Sequence, residues 1–438
     1  MPALSIWMNG EHVGLWEVSR TGGHRLFYDP TWLASPHSRP LSLSLPFTPD
    51  LEVSGQVVEN FFDNLLPDNA DIRKRITKRF GLRSTDPNAF ALLETIGRDC
   101  VGAVQLMPEG EQPIGFNQLK GSPMDEQDVA AHLAGLGNAF GNLEGETDFR
   151  LSIAGAQEKT ALLRIGEQWF QPLGATPTTH ILKPQIGMVP RHDHDFTQSV
   201  QNEWLCNQLL GAMGFPVATS TIETFGPHTV LSVERFDRAW NPAGWIARLP
   251  QEDLCQAKGV ASSQKYEVDG GPGIVECLEV LAGSQESAAD SARFVMAQLA
   301  FWLLAAIDGH AKNFSIFIQP GGGYQMTPLY DVLSAWPVIG HGHGKIESRR
   351  AKMAMAIPGF KSRHYHLYTI QRRHWKVLAN FTRITGLWEE MVAMVEGLEA
   401  AIAMVSGNLH SSVQPQFAEQ IFTGARVQAR KFLSGPDE

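Results

Sequence analysis

Apolar and polar positions alternate along the first part of the chain as they do in short strands, and later they follow the longer period of helices. Asn9-Gly10 separates two alternating runs, 4–8 and 12–16, and predicts a hairpin with a two-residue turn. The same pattern predicts further strands at 24–28, 41–46, 101–107, 160–165, 179–183, 230–233 and 314–319. Helical periodicity predicts helices at 57–66, 70–80, 124–140, 199–213, 273–282, 287–307, 371–382 and 387–404, and one that follows the Asp86-Pro87 cap to about residue 96.

The length of the chain predicts more than one domain, because 438 residues are too many for a single hydrophobic core. Residues 108–123 are rich in proline and glycine and are predicted to form a linker. We therefore predict an N-terminal α/β subdomain at 1–110, a second, strand-containing part at 111–246, and a helical part at 247–438.

Composition and charge are those of an ordinary globular protein, with 43% hydrophobic and 19% charged residues. The net charge of −10 argues against a chain that coats nucleic acid by itself, because phosphate binding depends on Lys and Arg. The four cysteines have irregular spacing, which favours neither a zinc site nor a disulfide framework. No signal peptide is recognised, and the most apolar run, 294–307, is too short for a bilayer, so a cytoplasmic protein without a membrane partner is expected.

A polar loop between a predicted helix and a predicted strand carries the strongest candidate chemistry. Asp308 and Asn313 are spaced as Asp-x-x-x-x-Asn, the spacing of a kinase catalytic loop, in which the Asp accepts the substrate proton and the Asn holds magnesium. Asp331 follows one strand and turn later, where a kinase has its main metal-binding Asp. The spacing alone is also compatible with an ordinary turn at Asp308 and a helix cap at Asn313.

Upstream residues fall in the order that a kinase would require. The small-residue loop comprises Ala154, Gly155, Ala156, Gln157, Glu158 and Lys159 and could bind phosphate oxygens, although a plain hairpin turn is the alternative. Lys183 ends a strand and Glu203 lies on the next helix, as in the ion pair that holds a kinase lysine on the nucleotide phosphates. Glu234, Arg235 and Phe236 then follow a strand where an adenine-binding hinge would fall.

This order predicts an α+β protein with a two-lobed, protein-kinase-like fold, in which a β-rich N-terminal lobe and a mostly α-helical C-terminal lobe hold ATP and Mg²⁺. Within it, 111–246 would contain the nucleotide-binding loop and the hinge, and 247–438 the catalytic helices.

The chain also resembles the HipA-type toxin kinases of bacterial toxin–antitoxin pairs over nearly its whole length. The matching stretches lie at residues 41–46, 60–68, 96–99, 152–159, 233–238, 249–253, 270–273 and 308–313. The resemblance implies a serine/threonine protein kinase that arrests growth by phosphorylating an aminoacyl-tRNA synthetase, glutamyl-tRNA synthetase in the best-known members. It also implies a helix-turn-helix antitoxin dimer of the HipB type that inhibits the toxin and brings it to operator DNA.

Residue by residue, the resemblance implies that Asp308 is the catalytic base, that Asn313 and Asp331 bind magnesium, and that Lys183 binds phosphate. Glu234 and Phe236 would hold adenine, and Ser152 matches the serine that is autophosphorylated with loss of activity. The nucleotide site implied by the resemblance also includes Arg235, His310, Lys312 and Tyr330.

A basic segment near the C-terminal helices diverges from the family pattern. Arg372, Arg373 and Lys376 fall where a family member meets the operator backbone, but they would equally form a solvated basic face. Two other functions stay open at this point, a phosphotransferase acting on a small molecule and a catalytically silent corepressor of the antitoxin.

Overall fold

Two units interleave along the chain in the computed structural model, which describes residues 1–82, 88–136, 157–189, 194–359 and 362–436. The first unit contains Met1–Pro184, Glu223–Ser263 and Ser315–Tyr324. The second unit contains Gln185–Ile222, Gln264–Phe314 and Gln325–Glu438. The predicted division into three parts at 110 and 246 stays a prediction.

The strands of the described residues are short. They are β1 Ala3–Met8, β2 Glu11–Val18, β3 His24–Tyr28, β4 Glu52–Ser54, β5 Gln105–Pro108, β6 Gly121–Met124, β7 Thr160–Ile165, β8 Gln168–Pro172, β9 His180–Pro184, β10 Gly187–Val189, β11 His194–Phe196, β12 Ser220–Phe225, β13 His228–Glu234, β14 Arg238–Asn241, β15 Trp245–Arg248, β16 Gln251–Asp253, β17 Ser315–Ile318, β18 Tyr324–Met326, β19 Lys352–Pro358 and β20 Arg363–His366.

The helices of the described residues are longest in the second unit. They are α1 Pro30–Leu33, α2 Gln56–Asp63, α3 Ala70–Arg79, α4 Ala89–Ile96, α5 Glu126–Ala134, α6 Ser199–Ala212, α7 Leu254–Ala257, α8 Ile274–Leu281, α9 Ser287–Leu304, α10 Arg372–Thr382, α11 Leu387–Glu396, α12 Leu398–Ser406 and α13 Pro415–Ser434. Within the described part of the chain, each helix is too short or too polar to span a membrane.

An antiparallel sheet in the order β4-β3-β2-β1-β5 opens the first unit. The predicted hairpin is confirmed, and Asn9 and Gly10 both have positive φ, 47° and 84°, as its tight turn requires. Alternate strand residues face the helices of this region, and the indole of Trp16 stacks on the ring of Phe62 on α2 at 4.0 Å. These contacts give the N-terminal region its own hydrophobic core.

A second sheet carries the predicted phosphate-binding lysine and hinge. In the first unit its strands lie in the order β13-β9-β7-β8-β6, so β9 is flanked by β13 and β7. Lys183 on β9 is opposite Leu231, and Glu234 at the end of β13 is opposite His180. The register therefore fixes both candidate nucleotide contacts on neighbouring strands.

In the second unit the helices surround α9, which is buried along most of its length. From Phe294 to Leu304 nearly every side chain is excluded from solvent, which explains why this helix has a continuous apolar run rather than one apolar face. Helices α10 and α13 pack against it, and the rings of Trp302 and Trp375 lie 5.8 Å apart. The C-terminus of α9 is thus rigidly placed where the candidate catalytic loop begins.

The structure corrects several predicted elements. The predicted strand at 41–46 is wrong, since only an isolated bridge joins Ser42 and Leu45. The predicted helix at 387–404 is two helices that meet at Gly397. Strand β8 and the 20-residue helix α13 are not predicted by the pattern. Strand β6 overlaps the end of the predicted linker, and residues 101–104 of the predicted strand 101–107 precede β5. The Asp86-Pro87 cap lies outside the described residues, and Asn88 caps α4.

A buried ion cluster joins the N-terminal region of the first unit to the hinge segment. Asp99 contacts three guanidinium groups, those of Arg235, Arg238 and Arg248, at 3.0 to 3.3 Å. Asp237 pairs with Arg235 at 2.8 Å and with Arg238 at 3.0 Å. These neighbours hold the pKa of Asp99 below its usual range despite burial, so both carboxyl groups are charged and offset two of the three positive charges of the buried arginines.

Glu252 connects a second pair of segments of the first unit. Its fully buried carboxyl group accepts a hydrogen bond from Leu43 N at 2.9 Å and another from the hydroxyl of Ser42. Ser44 donates to the carbonyl of Gln256 at 2.7 Å, next to the same site. Residues 42–44 thus form hydrogen bonds with Glu252 and Gln256 and not with a neighbouring strand. The predicted strand is therefore a turn.

We expect Glu252 to make stability depend on pH. Burial raises its pKa from 4.5 to about 8, so the folded protein keeps a proton that the unfolded chain has released. This contribution to stability is fully present below pH 4.5 and is lost as the pH rises through about 8. Urea unfolding across this window should show the wild type losing up to about 1.4 kcal/mol per pH unit relative to Glu252→Gln, whose amide stays neutral.

The matched control is Glu109→Gln, which changes an exposed glutamate of the same unit and should keep the wild-type pH dependence. If Glu252→Gln and wild type lost stability equally over the window, the buried proton would not be on Glu252.

Candidate active site

The loop that follows α9 turns sharply because of two local constraints. Ala305 ends α9 in the left-handed conformation, with φ 49°, and Ala306 N donates to the carbonyl of Phe301 at 2.8 Å. A Cβ atom on Gly309 would lie 2.5 Å from the ring of Phe301, so only glycine fits against that ring. The backbone therefore leaves the buried helix and immediately presents Asp308.

Asn313 closes the loop onto Asp308. Its side-chain Nδ2 donates to the main-chain carbonyl of Asp308 at 3.0 Å, and His310 N donates to the same oxygen at 2.8 Å. The side chain of Asp308 is 67% exposed, whereas Asn313 is only 6% exposed. The five-residue spacing thus combines an exposed carboxylate, that of Asp308, with a buried amide, that of Asn313. Asn313 is not a helix cap, which was the alternative interpretation of the spacing.

Asp331 is presented by a strained backbone. Its φ of 59° is unusual for a residue other than glycine, although Asp and Asn adopt this region more readily than most. Leu329 anchors the approach on both sides, since its N–H donates to Pro216 O at 2.9 Å and its carbonyl accepts from Ala218 N at 2.8 Å. Tyr330 donates its hydroxyl to the carbonyl of Lys312 at 2.9 Å, which connects the Asp331 segment to the Asp308 loop.

Asn202 on α6 connects three segments of the second unit. It exchanges two hydrogen bonds of 2.8 Å with the main chain of Ser334, which lies three residues after Asp331. The hydroxyl of Ser334 donates to Leu304 O at 2.6 Å, at the end of α9. Both Asn202 and Ser334 are buried, so α6, the end of α9 and the Asp331 segment have fixed relative positions.

Asn313 and Asp331 carry the type of side-chain oxygen that a magnesium ion prefers. Because Nδ2 of Asn313 is engaged, Oδ1 is the side-chain atom left for a cation, and it accepts no hydrogen bond from the described residues. The carboxylate of Asp331 supplies a second oxygen, and Mg²⁺ prefers oxygen ligands from one or two side chains together with phosphates. Within the described residues no cluster of three or more His, Cys, Asp and Glu side chains is present.

The predicted nucleotide-loop residues are described only at their C-terminal end. Gln157 donates its side-chain amide to the carbonyl of Pro184 at 2.9 Å, and Glu158 is ion-paired with Arg75 on α3. Burial raises the pKa of Glu158, and Arg75 opposes that shift. Lys159 lines the same small cavity of about 120 Å³ as Arg75, while Ala154, Gly155, Ala156 and Ser152 lie outside the described residues.

The strand lysine and the hinge residues differ in their exposure. Lys183 is buried, at 6% exposure, whereas Glu234 is exposed at the end of β13. Phe236 is half-buried, and its ring meets that of Phe317 edge-on at 5.8 Å. The guanidinium of Arg235 is committed to the buried ion cluster, so a nucleotide contact by this residue would have to come from its main chain.

The remaining predicted residues lie in the second unit. Glu203 on α6 is buried, at 2% exposure, and its predicted ion pair with Lys183 of the first unit stays a prediction. Among the basic residues of α10, Arg372 lies over the rings of Trp388 and Phe432, at 4.8 and 5.1 Å, and Lys376 lies 6.0 Å from Trp388. Arg373 is the exposed member of the three, and the predicted DNA contact of these residues stays a prediction.

Sequence reasoning missed two residues at this site. Tyr266 donates its hydroxyl to Oδ1 of Asp308 at 2.6 Å, and its ring meets that of His310 edge-on at 5.0 Å. Asn202 stands beside Glu203, but neither it nor Tyr266 belongs to a spaced catalytic motif. Tyr266 could have been noticed because it lies just before the glycines at 270–273, a stretch that matches the family.

Comparisons with known proteins identify the family of the chain. Residues 4–107 match the family model of the HipA N-terminal domain, and residues 151–405 match that of the HipA-like C-terminal domain. A protein of Sinorhizobium fredii named "Putative kinase Y4mE" is 35% identical over 335 residues, which cover 76% of this chain and 77% of that protein. The serine/threonine-protein kinase toxin HipA of Shewanella oneidensis is 30% identical over 313 residues, 66% of each chain.

A solved structure shares the fold over nearly the whole chain. The complex of HipA, HipB and operator DNA from Shewanella oneidensis MR-1 contains a chain that matches with a TM-score of 0.78 at 23% identity, covering 98% of this chain and 97% of that one. The likeness confirms the predicted α+β, protein-kinase-like fold class.

We expect Asn202→Ala to destabilise the second unit, because Ser334 N–H and C=O would each lose a buried partner. The free energy of unfolding should fall by about 2 kcal/mol or more. Thermal or urea unfolding measures the change. Asn408→Ala, which removes an exposed side chain that bonds Met404 O on the same unit, should cost far less, and equal losses would contradict a bridging role for Asn202.

Proposed function

The chain belongs to the HipA family, and we propose that it is a serine/threonine protein kinase toxin that transfers the γ-phosphoryl group of ATP to a protein in the bacterial cytoplasm. The observation that carries the proposal is that, in the second unit, the loop at 308–313 is hydrogen-bonded to the segment that contains Asp331. An exposed carboxylate at Asp308 and oxygen donors at Asn313 and Asp331 are connected by the Tyr330–Lys312 hydrogen bond.

In the proposed reaction the substrate hydroxyl oxygen attacks the γ-phosphorus, and the bond to the β-phosphate oxygen breaks as ADP leaves. Asp308 accepts the hydroxyl proton, since its carboxylate is the exposed base of the loop. Asn313 and Asp331 would hold Mg²⁺, which when bound neutralises phosphate charge. Lys183 would bind the α- and β-phosphates, and the carboxylate of Glu203 would orient it.

The nucleotide would be held by further residues of both sequence motifs. Glu234 and Phe236 would contact adenine, and the residues from Ala154 to Lys159 would cover the phosphates. The proposed site also includes His310, Lys312, Tyr330 and, through its main chain, Arg235. We further propose that Ser152 is autophosphorylated and that the modification opposes nucleotide binding, because a phosphate adds about −1.5 to −2 charge beside the loop.

The proposed partners are supported by the relatives named above, whereas the proposed substrate rests on the family resemblance alone. The Shewanella HipA structure contains HipB and operator DNA, which supports a helix-turn-helix antitoxin dimer as the partner of this chain. DNA would be approached mainly through that antitoxin, with Arg373 as the exposed basic residue of α10. The proposed substrate is an aminoacyl-tRNA synthetase, such as glutamyl-tRNA synthetase, and the proposed outcomes are growth arrest and autoregulated transcription.

We expect Asp308→Ala to lower ATP-dependent phosphorylation by about 10² to 10⁴-fold, because no other group of the loop takes its place as base. Label transfer from ATP and growth arrest on expression are the two readouts. Glu390→Gln, which changes an exposed carboxylate on α11, serves as the control and should behave as wild type. Wild-type labelling by Asp308→Ala would remove the catalytic assignment.

We expect ATP affinity to depend on Mg²⁺ and to fall in Lys183→Met and Asp331→Asn, because each substitution removes a charge that the phosphates or the metal require. Asparagine is the apt replacement at 331, since it tolerates the positive φ found there. Titration calorimetry with and without a chelator measures the affinities. Equal affinities in all these conditions would place the metal and phosphate sites elsewhere.

A further inference from the structure

We propose that the hydroxyl group of Tyr266 positions the catalytic carboxylate of Asp308, fixing Oδ1 so that Oδ2 is directed to the substrate hydroxyl. The proposal rests on the proposed function, since it assigns Tyr266 a role only through Asp308. Tyr266 is a positioning residue in this account and makes no contact with the reacting atoms.

The contact is specific in its geometry. The Tyr266 hydroxyl donates to Oδ1 of Asp308 at 2.6 Å, the length of a strong hydrogen bond to a carboxylate. His310 Nε2 lies 4.0 Å from the same oxygen, too far for a hydrogen bond. Among the described residues no hydrogen bond reaches Oδ2. One oxygen is therefore anchored, and the other is left for a substrate.

The carboxylate needs such an anchor because packing does not hold it. Its side chain is 67% exposed, and an exposed aspartate changes rotamer freely. The main chain of Asp308 is fixed by Asn313 and His310, but those bonds end at the carbonyl and leave the side-chain torsions unrestrained. A base must be held close to its reactive geometry, and a displacement of 1 Å costs about 10²-fold in rate.

Tyr266 is itself held in place by a tightly folded turn. Gly271 N donates to Tyr266 O at 2.9 Å, and a Cβ on Gly271 would lie only 2.0 Å from the carbonyl of Gln264. The next residue, Glu267, accepts from Ala356 N at 2.6 Å and from Arg363 at 2.7 Å. The glycines before α8 thus shape a turn that points one tyrosine hydroxyl at the catalytic loop.

The hydrogen bond suits the proton transfer in the proposed reaction. The substrate proton passes to Oδ2 as the new oxygen–phosphorus bond forms and ADP departs. Tyr266 keeps its own proton throughout and keeps donating to Oδ1. If instead the tyrosine hydroxyl occupied the place of the substrate hydroxyl, its removal would speed the reaction.

The test compares Tyr266→Phe with wild type, Asp308→Ala and the double variant, each as the full chain with Mg-ATP and a phosphate-acceptor protein. Phenylalanine keeps the ring contact with His310 and removes only the hydroxyl. We expect kcat to fall about 10- to 100-fold, with the KM for ATP and the melting temperature unchanged. Tyr368→Phe, a 53% exposed tyrosine of the same unit, is the matched control and should leave kcat unchanged.

The double variant distinguishes action through Asp308 from a separate effect. In the Asp308→Ala background, Tyr266→Phe should cause no further loss, because the group that it positions is absent. A wild-type or raised kcat in Tyr266→Phe, or a full additional loss in the double variant, would overturn the proposal while Asp308 stays the base. Wild-type activity of Asp308→Ala would remove the catalytic assignment of Asp308 in the proposed function, and this proposal with it.

Discussion

Asp99 and the three arginines around it are the interaction on which the first unit depends. A buried carboxylate that loses its guanidinium partners, or the reverse, leaves an uncompensated charge, which costs about 3–5 kcal/mol. The cluster therefore permits one arrangement of the chain around residues 235–238. Glu234 and Phe236 flank Arg235, so the ion pair between Arg235 and Asp99 also fixes the position of the proposed adenine contacts.

The sequence stretches that reveal the family act mostly in pairs that stabilise the fold. Residues 42–44 bind Glu252 and Gln256, and Asp99 binds the arginines of 235–238. Asn60 and Asn64 donate to the carbonyls of Gly259 and Val260, both at 2.8 Å. The stretch at 308–313 also carries the proposed catalytic base, and those at 152–159 and 233–238 also carry proposed nucleotide contacts. Most of the sequence likeness to the family therefore lies in residues that hold the segments of the first unit together.

The sequence pattern predicted the elements that depend on neighbouring residues, and it failed for residues whose partners are distant in the sequence. The Asn9-Gly10 hairpin and the apolar helix before Asp308 depend on neighbouring residues, and both are confirmed. Residues 41–46 alternate like a strand, but their hydrogen bonds go to Glu252, far along the chain. Arg235 is predicted to contact the nucleotide because it lies in the predicted hinge, but its guanidinium is buried against Asp99. Tyr266 reaches Asp308 only through the fold.

The interleaving of the two units bears on how the protein is made. The first unit needs β17, a strand that follows the Asp308 loop in the sequence and pairs with β16. Its contacts are therefore incomplete until the ribosome has released residues beyond 318, and the second unit waits for α13 at the C-terminal end. Such long-range contacts slow folding, because distant segments must meet before they gain stability. A nascent chain would thus lack stabilising contacts of both units through most of its synthesis.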